Sequence, residues 1–325
     1  MKMTIERKNF PLHSPFAITG YTFTNLNSVW VTLEDQGFFG RGEGVGIYYL
    51  GDDQDQMVKH LEAIKPAVEK GATRQEINSL MPTNGARNAL DCAMWDLECK
   101  KSNGSIWELL GIEPKLLTTV ATIGIGTPEH MAARALELSE FPNLKIKLSN
   151  EQPVAKLEAI RSARPDAKLV VDVNQGWNFE ELNAFIPDLS KLSIDMIEQP
   201  LARGEDQELA GFTSPIPLGA DESALNLSEY QQAADRYQVV NIKLDKCGGL
   251  TEALEIARTA TDAGKSLMVG NMTGTSLSMA PAYVIGQFCD FVDIDGPLLL
   301  ATDIDPGLDY LDAGKVSIPT PEIWG

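Results

Sequence analysis

Two lysines and three carboxylates recur at nearly equal steps along the second half of the chain. Gaps of 25, 26, 23 and 25 residues separate Lys147, Asp172, Glu198, Asp221 and Lys246. One strand and one helix of a parallel barrel take about this length, and the catalytic residues of such barrels gather where the strands end. The spacing therefore predicts a barrel with a polar site at one end.

Short apolar runs alternate with helical patterns from residue 117 onward, which predicts a closed parallel barrel. The eight predicted strands cover residues 119–125, 144–148, 169–173, 194–197, 216–220, 239–244, 267–270 and 291–294. Before them, a β-rich alternating segment and several amphipathic helices, with Asp53 and Thr73 as predicted N-caps, indicate an α+β unit. The tail has little helical pattern and is expected to return to that unit. The predicted units are residues 1–116, 117–300 and 301–325.

The composition excludes several classes of function. A formal net charge of -19 over 325 residues argues against nucleic acid and anionic membranes as partners, because a phosphate backbone is held by excess Lys and Arg. The first ten residues lack an apolar run long enough for a signal peptide or a membrane span, so we expect a cytoplasmic protein. Four scattered cysteines without a C-x-x-C pair indicate neither zinc nor a disulfide framework, and none of the three histidines lies in a predicted strand. Lysine and carboxylate must therefore carry any acid–base chemistry.

Three strand-end carboxylates form a candidate metal site. Asp172, Glu198 and Asp221 each follow an apolar run, LVVD, MIE or PLGAD, at the outer ends of successive predicted strands. Hard oxygen ligands suit Mg²⁺, with Mn²⁺ as the alternative ion. Any one of these acids alone has a simpler interpretation as the cap of the following helix. Three such acids at the ends of successive strands favour a metal site over three separate helix caps.

Two groups of lysines flank these carboxylates in the sequence. Lys145 and Lys147 point to the same face of their predicted strand, toward the barrel interior, where an ammonium group needs a partner. On the other side, Lys243 and Lys246 compete as the functional lysine. Lys246 lies at the strand exit and is preferred, and Lys243 is expected to pair with a carboxylate inside the barrel. Purely structural salt bridges are the alternative for all of them.

A metal ion between two lysines suits the removal of a weakly acidic proton next to a carboxylate. The dianionic enediolate that results needs a cation on its oxygens. A lysine on each face allows one to remove the proton while the other returns it, which inverts the carbon.

These residues lie in motifs that resemble the enolase superfamily, its muconate lactonizing enzyme subgroup, and within it the dipeptide epimerases. The resemblance implies an α/β fold, a (β/α)7β modified TIM barrel with an α+β capping domain. It also implies that Lys147 and Lys246 are the acid–base catalysts, that Lys145 steadies the substrate carboxylate or the pKa of Lys147, and that the three carboxylates hold one Mg²⁺ per subunit. The motifs are ARNALDCAMWDLECK, LKIKL, VVDVNQGW, MIEQP, GADES and NIKLDKCGGLTEA.

The motifs do not name the reaction, because cycloisomerases, succinylbenzoate synthases, N-acyl amino acid racemases and epimerases share them. Asp293 and Asp295, after the last strand, resemble the D-x-D by which dipeptide epimerases hold the substrate α-ammonium. The sequence therefore predicts an epimerase that inverts the C-terminal residue of a dipeptide. A cycloisomerase or N-acyl amino acid racemase of the same subgroup is the alternative, and a catalytically silent barrel that binds metal and peptide is an alternative from another class.

The choice of dipeptide depends on less specific signals. In the family a mobile loop near the N-terminus covers the site; here residues 18–28 contain neither Arg nor Lys, and Tyr21 and Phe23 favour an uncharged or apolar side chain over the Glu of L-Ala-D/L-Glu epimerases. Asp52, Asp53 and Asp55 leave a cationic dipeptide open, although helix capping also explains them. Two further pocket candidates are Met272 and Thr275. We expect a small dipeptide as the partner and a homo-oligomer as the assembly.

Overall fold

The first part of the chain opens with a three-stranded antiparallel sheet. The computed structural model describes residues 1–18 and 20–325. The strands follow one another in the order β1 (Lys2–Ile18), β2 (Tyr21–Asp35) and β3 (Phe38–Val45). Strands β2 and β3 form an antiparallel hairpin. Strand β1 is not among the predicted strands.

The segment expected to be a loop over the site belongs mostly to this sheet. Within residues 18–28, β2 starts at Tyr21 and pairs with the end of β1, with Phe23 opposite Phe16. Thr19 lies outside the described residues. The loop prediction is corrected to a hairpin end, because backbone pairing with β1 orders these residues even though their side chains are largely exposed.

Four helices complete the first part. Each begins at a residue whose side-chain oxygen accepts a hydrogen bond from the backbone two or three residues later, which satisfies a free N–H of the first turn. The predicted caps Asp53 and Thr73 both do this, and Thr73 forms a full capping box with Glu76. The helices are α1 (Gln54–Glu69), α2 (Arg74–Leu80), α3 (Gly85–Ser102) and α4 (Ile106–Leu110).

Strand β3 and helix α3 approach each other closely through small residues. In the sequence GRGEG every second residue of β3 is glycine, so the glycines share one face of the strand. A Cβ on Gly42 would overlap the main-chain oxygen of Ala89 and lie 2.7 Å from the main-chain nitrogen of Ala93. The backbones of β3 and α3 are therefore in direct contact.

Gly42→Ala will therefore lower the free energy of unfolding by about 1–3 kcal/mol or more, because the atom it would displace belongs to a helix backbone. Urea unfolding followed by circular dichroism measures the loss. Gly104→Ala is the matched control: its added Cβ would meet only side-chain atoms, at 3.3 Å or beyond, so little change is expected. Equal stability of the two variants would contradict close packing at β3.

The second part is a barrel of eight parallel strands whose spatial order follows the sequence. Each of the eight predicted strands overlaps an observed one. The first and last strands are joined by a hydrogen bond from Val120 N to Val292 O of 2.9 Å, which closes the barrel. The strands are β5 (Ala121–Ile123), β6 (Asn143–Lys147), β7 (Lys168–Asp172), β8 (Met196–Glu198), β9 (Leu218–Ala220), β10 (Val239–Ile242), β11 (Ser266–Val269) and β12 (Phe291–Val292); β4 (Leu117–Thr118) precedes them.

Helices on the outside of the barrel connect these strands. Between β8 and β9 the connection contains only a 3-10 turn, Gln207–Leu209, in place of an α-helix. The helices are α5 (Pro128–Glu137), α6 (Pro153–Ala163), α7 (Phe179–Leu189), α8 (Leu227–Ala233), α9 (Leu244–Cys247), α10 (Leu250–Asp262), α11 (Ser276–Gly286) and α12 (Gly296–Leu299). None of the helices in the described part of the chain is long and apolar enough to cross a membrane.

The tail runs back along the molecule to the first part. Strand β13 (Lys315–Val316) pairs antiparallel with β4. Beyond it, Trp324 Nε1 donates a 3.0 Å hydrogen bond to Cys92 O of α3, and Gly325 N donates one of 2.8 Å to Asp96 Oδ1. The indole of Trp324 is buried in the main core. These contacts fasten α3 to the barrel side of the molecule.

Candidate active site

The three predicted metal ligands lie side by side at the carboxyl ends of neighbouring strands. Asp172 is the last residue of β7, Glu198 is the last of β8, and Asp221 follows β9 directly. Lys147 pairs with Asp172 across β6 and β7, and Asp172 pairs with Glu198 across β7 and β8. Residues paired across parallel strands point to the same face, so this register brings the side chains together inside the barrel mouth.

Lys145 lies at the centre of the acidic cluster. Its Nζ is 2.8 Å from Glu198 Oε2, 2.8 Å from Asp293 Oδ2 and 3.1 Å from Asp172 Oδ2. Burial lowers the pKa of Lys145, but the negative charges of Asp293, Glu198 and Asp172 outweigh burial and raise it well above its usual value. Lys145 is thus a permanent cation that holds the carboxylates of three strands together.

Lys147 lies on the same face of β6, nearer the opening. Its Nζ is 2.6 Å from Asp172 Oδ2 and 3.2 Å from Asn174 Oδ1. Of the lysines in the cluster it is the most exposed, at 8%, whereas Lys145 is 1% exposed. The predicted common orientation of Lys145 and Lys147 is present, and only Lys147 reaches toward solvent and an incoming substrate.

On the opposite side, Lys243 occupies the position that the sequence argument gave to Lys246. Asn241 points into the barrel, where its Nδ2 donates a 2.5 Å hydrogen bond to Glu198 Oε1, and Lys243 is two residues further along the same extended segment. Gly270, on the neighbouring segment, also lies close to this lysine: a Cβ added to Gly270 would be 2.8 Å from Lys243 Cε. The side chain of Lys243 is therefore inside the barrel. Lys243 Nζ is 2.8 Å from Asp221 Oδ2.

Lys246 belongs to the short helix α9 and is used differently. Its Nζ donates a 2.6 Å hydrogen bond to the main-chain oxygen of Asp221 and contacts Asp221 Oδ1. The side chain is 1% exposed, against 6% for Lys243. Lys246 does not continue the strand as expected from the sequence: the helical turn of α9 directs this lysine to Asp221. The expected pairing of Lys243 with a carboxylate is present, but it brings Lys243 into the site.

The carboxylate set has the chemistry that a divalent cation requires. Burial raises the pKa of Asp172 and of Asp221, but the neighbouring lysines, Lys147 and Lys145 for the first and Lys243 and Lys246 for the second, lower both below their usual range. Burial and the charge of Asp172 raise the pKa of Glu198 to about 7.

The Oε2 atom of Glu198 is fully buried and accepts no well-oriented hydrogen bond, although Lys145 Nζ is 2.8 Å away. Buried carboxylate oxygens with spare lone pairs fit Mg²⁺. In the described residues no three such groups are already spaced around one ion, and Lys145 lies between Asp172 and Glu198.

The D-x-D pair lies beside Lys145. Asp293 Oδ2 meets Lys145, and its Oδ1 accepts a 2.9 Å hydrogen bond from Asn271 Nδ2. Asp295 Oδ2 accepts a 2.8 Å hydrogen bond from Thr122 N. Burial, followed by the charge of Asp293, raises the pKa of Asp295 to about 7. The two carboxyl groups therefore form a second acidic patch at the barrel mouth.

A cavity of about 560 Å³ lies between the sheet of the first part and the barrel mouth. Tyr21, Phe23 and Met272, three of the predicted substrate-binding residues, line it. Thr275 does not: it caps α11, and its hydroxyl donates to the carboxylate of Glu43. A second cavity, of about 690 Å³, lies beside the β2–β3 turn and α4. Among the described residues, the lysines and carboxylates of the strand ends line neither cavity.

Tyr48 links the cavity to the charged cluster and is not among the predicted site residues. Its ring centroid lies 4.8 Å from that of Tyr21 and 5.3 Å from that of Phe23. Burial raises the pKa of Tyr48, with a further contribution from the charge of Glu222 beside Asp221. The pair of tyrosines in GIYYLGDD offered a sequence signal, but only the fold shows that the first of them lines the cavity.

Comparisons with known proteins agree with this geometry. Residues 1–111 match the family model "Mandelate racemase / muconate lactonizing enzyme, N-terminal domain", and residues 129–321 match "Enolase C-terminal domain-like". The L-Ala-D/L-Glu epimerase of Escherichia coli is 40% identical over 304 residues, covering 93% of this chain and 95% of the relative. The N-acetyl-D-glutamate racemase of a Pseudoalteromonas species is 38% identical over 299 residues, 91% and 94% of the two chains.

Solved structures extend the similarity to the whole fold. An enolase family member from Agrobacterium tumefaciens with homology to dipeptide epimerases, solved with sodium and L-Ala-L-Glu, superposes with a TM-score of 0.96 at 40% identity over 99% of both chains. The dipeptide epimerase of Enterococcus faecalis, solved with Mg and L-Leu-L-Tyr, gives 0.92 at 27% identity over 98% and 96%. The chain belongs to the enolase superfamily, in its mandelate racemase and muconate lactonizing enzyme group.

Proposed function

We propose that the protein is a dipeptide epimerase that inverts the α-carbon of the C-terminal residue, with Lys147 and Lys243 as its two bases. The arrangement of these lysines carries the proposal. Strands β6 and β10 are four positions apart in an eight-stranded barrel, so Lys147 and Lys243 approach the carboxylate cluster from opposite sides. A substrate carbon held between them presents a different face to each lysine.

The reaction that this geometry supports is a 1,1-proton transfer. One lysine, in its neutral form, accepts the α-proton, and the protonated lysine on the other face donates a proton to the same carbon. Asp172, Glu198 and Asp221 would hold Mg²⁺, which stabilises negative charge on the substrate carboxylate when bound. Lys145 fixes two of these ligands, and Lys246 fixes the third through the main chain of Asp221.

The acidic patch of Asp293 and Asp295 supports a dipeptide over an acylated amino acid. Two neighbouring carboxyl groups suit the α-ammonium of a dipeptide, a group that an N-acyl amino acid lacks. The N-acetyl-D-glutamate racemase among the relatives makes N-acyl amino acid racemisation the second candidate. The two candidates differ in whether the substrate carries a positive charge at its amino end.

We further propose that the dipeptide side chain is uncharged or apolar. The rings of Tyr21, Phe23 and Tyr48 form one cluster at the cavity. Arg7 also lines the cavity, but its Nη1 forms a 2.6 Å ion pair with Asp55. No other Lys or Arg lies among the described lining residues, so a glutamate side chain would have no free cation to meet. A cytoplasmic location and a homo-oligomeric assembly complete the proposal.

A deuterium-exchange panel tests the proposed function. The protein is incubated in D₂O with Mg²⁺ and L-Ala-L-X dipeptides, where X is Leu, Phe, Tyr, Glu or Lys, together with the corresponding N-acetyl amino acids. Mass spectrometry records a gain of about one dalton at the α-carbon, because an enolised carbon takes its new proton from the solvent-exchanged lysine.

We expect gains in the dipeptides of Leu, Phe and Tyr, accompanied by formation of the L,D epimers. Exchange in L-Ala-L-Glu but not in these three would contradict the apolar preference while keeping the epimerase. Exchange only in N-acetyl amino acids would replace the epimerase by the racemase, and no exchange in any substrate would reject both.

A further inference from the structure

Strand β3 and helix α3 of the first part reach across to the segment that carries Lys243. Val45 N, at the end of β3, donates a 2.9 Å hydrogen bond to Asp245 Oδ1. Asn88 Nδ2, on α3, donates one of 2.7 Å to the same oxygen and one of 3.2 Å to Glu43 O. Asp245 lies two residues after Lys243, in the first turn of α9. A single carboxylate oxygen thus joins β3, α3 and the lysine-bearing turn.

This carboxyl group is not held by a cation. Among residues 1–18 and 20–325, Asp245 has no Lys, Arg or His within ion-pair distance, and its side chain is 3% exposed. Burial raises the pKa of Asp245 to about 7, although the hydrogen bonds from Val45 and Asn88 act in the opposite direction. Burying a carboxyl group with only neutral partners costs stability, so its presence here calls for a role other than strengthening the fold.

The hydrogen bond from Val45 also connects Asp245 to the cavity of about 560 Å³. Val45 and the following Gly46 line the cavity together with Tyr48. A Cβ on Gly46 would overlap the main-chain oxygen of Asp52, so this stretch of chain is held closely on both sides. Asp245 therefore connects the wall of this cavity with the turn that follows Lys243.

The other end of the turn is held by independent contacts. Arg87 Nε donates a 3.1 Å hydrogen bond to Gly248 O, and Asp91 accepts hydrogen bonds from Thr251 N and Thr251 Oγ1, at 2.9 and 2.6 Å. These contacts secure the start of α10. Loss of Asp245 would leave them in place and release the side of the turn that follows Lys243 directly.

We propose that Asp245 is a positioning residue that fixes Lys243 relative to the cavity wall, so that its loss impairs proton transfer at the Lys243 face more than at the Lys147 face. The inference rests on the proposed function. The expected asymmetry arises because Lys147, on β6, has no hydrogen bond to β3, α3 or α9 among the described contacts.

The experiment measures α-proton exchange in D₂O separately from the two epimers, L-Ala-L-X and L-Ala-D-X, of the dipeptide in the panel that exchanges fastest. The face served by Lys243 is defined as the epimer whose exchange Lys243→Ala abolishes. Asp245→Ala will slow exchange of that epimer about ten- to hundredfold and leave the other nearly unchanged, because a small displacement of a catalytic group has an effect of this size.

Matched variants separate positioning from general stability. Asp245→Asn keeps the Oδ1 acceptor and will restore most of the exchange at the affected face. Asp91→Asn changes another buried carboxyl at the contact between α3 and the barrel. This variant will not alter the ratio of the exchange rates of the two epimers. If Asp245→Ala does not fold, Asn88→Ala takes its place, because it removes one of the two hydrogen-bond donors to Asp245 Oδ1. It will shift the ratio of the two exchange rates in the same direction as Asp245→Ala.

Equal slowing of both epimers, or no slowing, in the folded Asp245→Ala or Asn88→Ala protein would overturn the inference. Absence of exchange in the wild-type protein would instead reject the proposed function, so the two failures are distinguishable.

Discussion

Lys243→Ala will abolish epimerisation while exchange of the α-proton persists for one of the two epimers. The lysine on one face is removed, but Lys147 on the opposite side of the barrel still reaches the carbon from its own face. A positioned general base contributes about 10²–10⁴-fold, so the loss should be of this order. Lys147→Ala will show the complementary pattern. Mass spectrometry of deuterium uptake at the α-carbon, measured separately for each epimer, tests both variants.

Lys246→Ala is the matched control for this prediction. Its ammonium holds the main chain and carboxylate of Asp221, so its removal will slow exchange at both faces to a similar degree. If Lys246→Ala abolished α-proton exchange for one epimer and Lys243→Ala left exchange intact for both, Lys246 would be the base, as predicted from the sequence.

Glu198→Gln will weaken Mg²⁺ binding and slow exchange at both faces by at least about 10²-fold. The substitution removes one negative charge from three, and a bound metal contributes several kcal/mol to the stabilisation of an oxyanion. The Oε2 atom of Glu198 is a buried acceptor without a well-oriented hydrogen bond. Among the three carboxylates, this residue would therefore be stabilised most by a bound metal. Calorimetric titration with Mg²⁺ measures binding without reference to activity.

Asp206→Asn provides the comparison for Glu198→Gln. Asp206 is as deeply buried as Glu198, but it meets Arg236 and Tyr237, at 2.8 and 2.7 Å, away from the strand ends. We expect this variant to lose stability and to keep its affinity for Mg²⁺. Wild-type affinity in Glu198→Gln would contradict the assignment of Glu198 as a ligand.

The barrel and its acidic cluster were predictable because each signal is local. An apolar run followed by a carboxylate marks the end of a buried parallel strand, and equal spacing of such runs marks successive units. Asp172 and Glu198 lie where this argument placed them because strand register is preserved between neighbours. The common orientation of Lys145 and Lys147 follows from the two-residue period of a strand.

Strand β1 shows where local signals fail. Its 17 residues from Lys2 to Ile18 are exposed along much of both faces and lack a clean apolar alternation. Its extended structure depends on pairing with β2 over almost its full length. The same pairing turned the expected loop at residues 18–28 into a hairpin end, which no single-segment pattern indicated.

The sequence by itself determined the strand-end chemistry: three carboxylates and the lysine pair of β6, each set by the period and spacing of its own segment. Tertiary structure alone decided that Lys243 enters the barrel while Lys246 turns beneath Asp221. It also decided that Tyr48 faces the cavity and that Asp245 joins β3 and α3 to the turn that follows Lys243. The contact of Val45 with Asp245 links residues 200 positions apart in the chain, and it arises only when the first part packs onto the barrel.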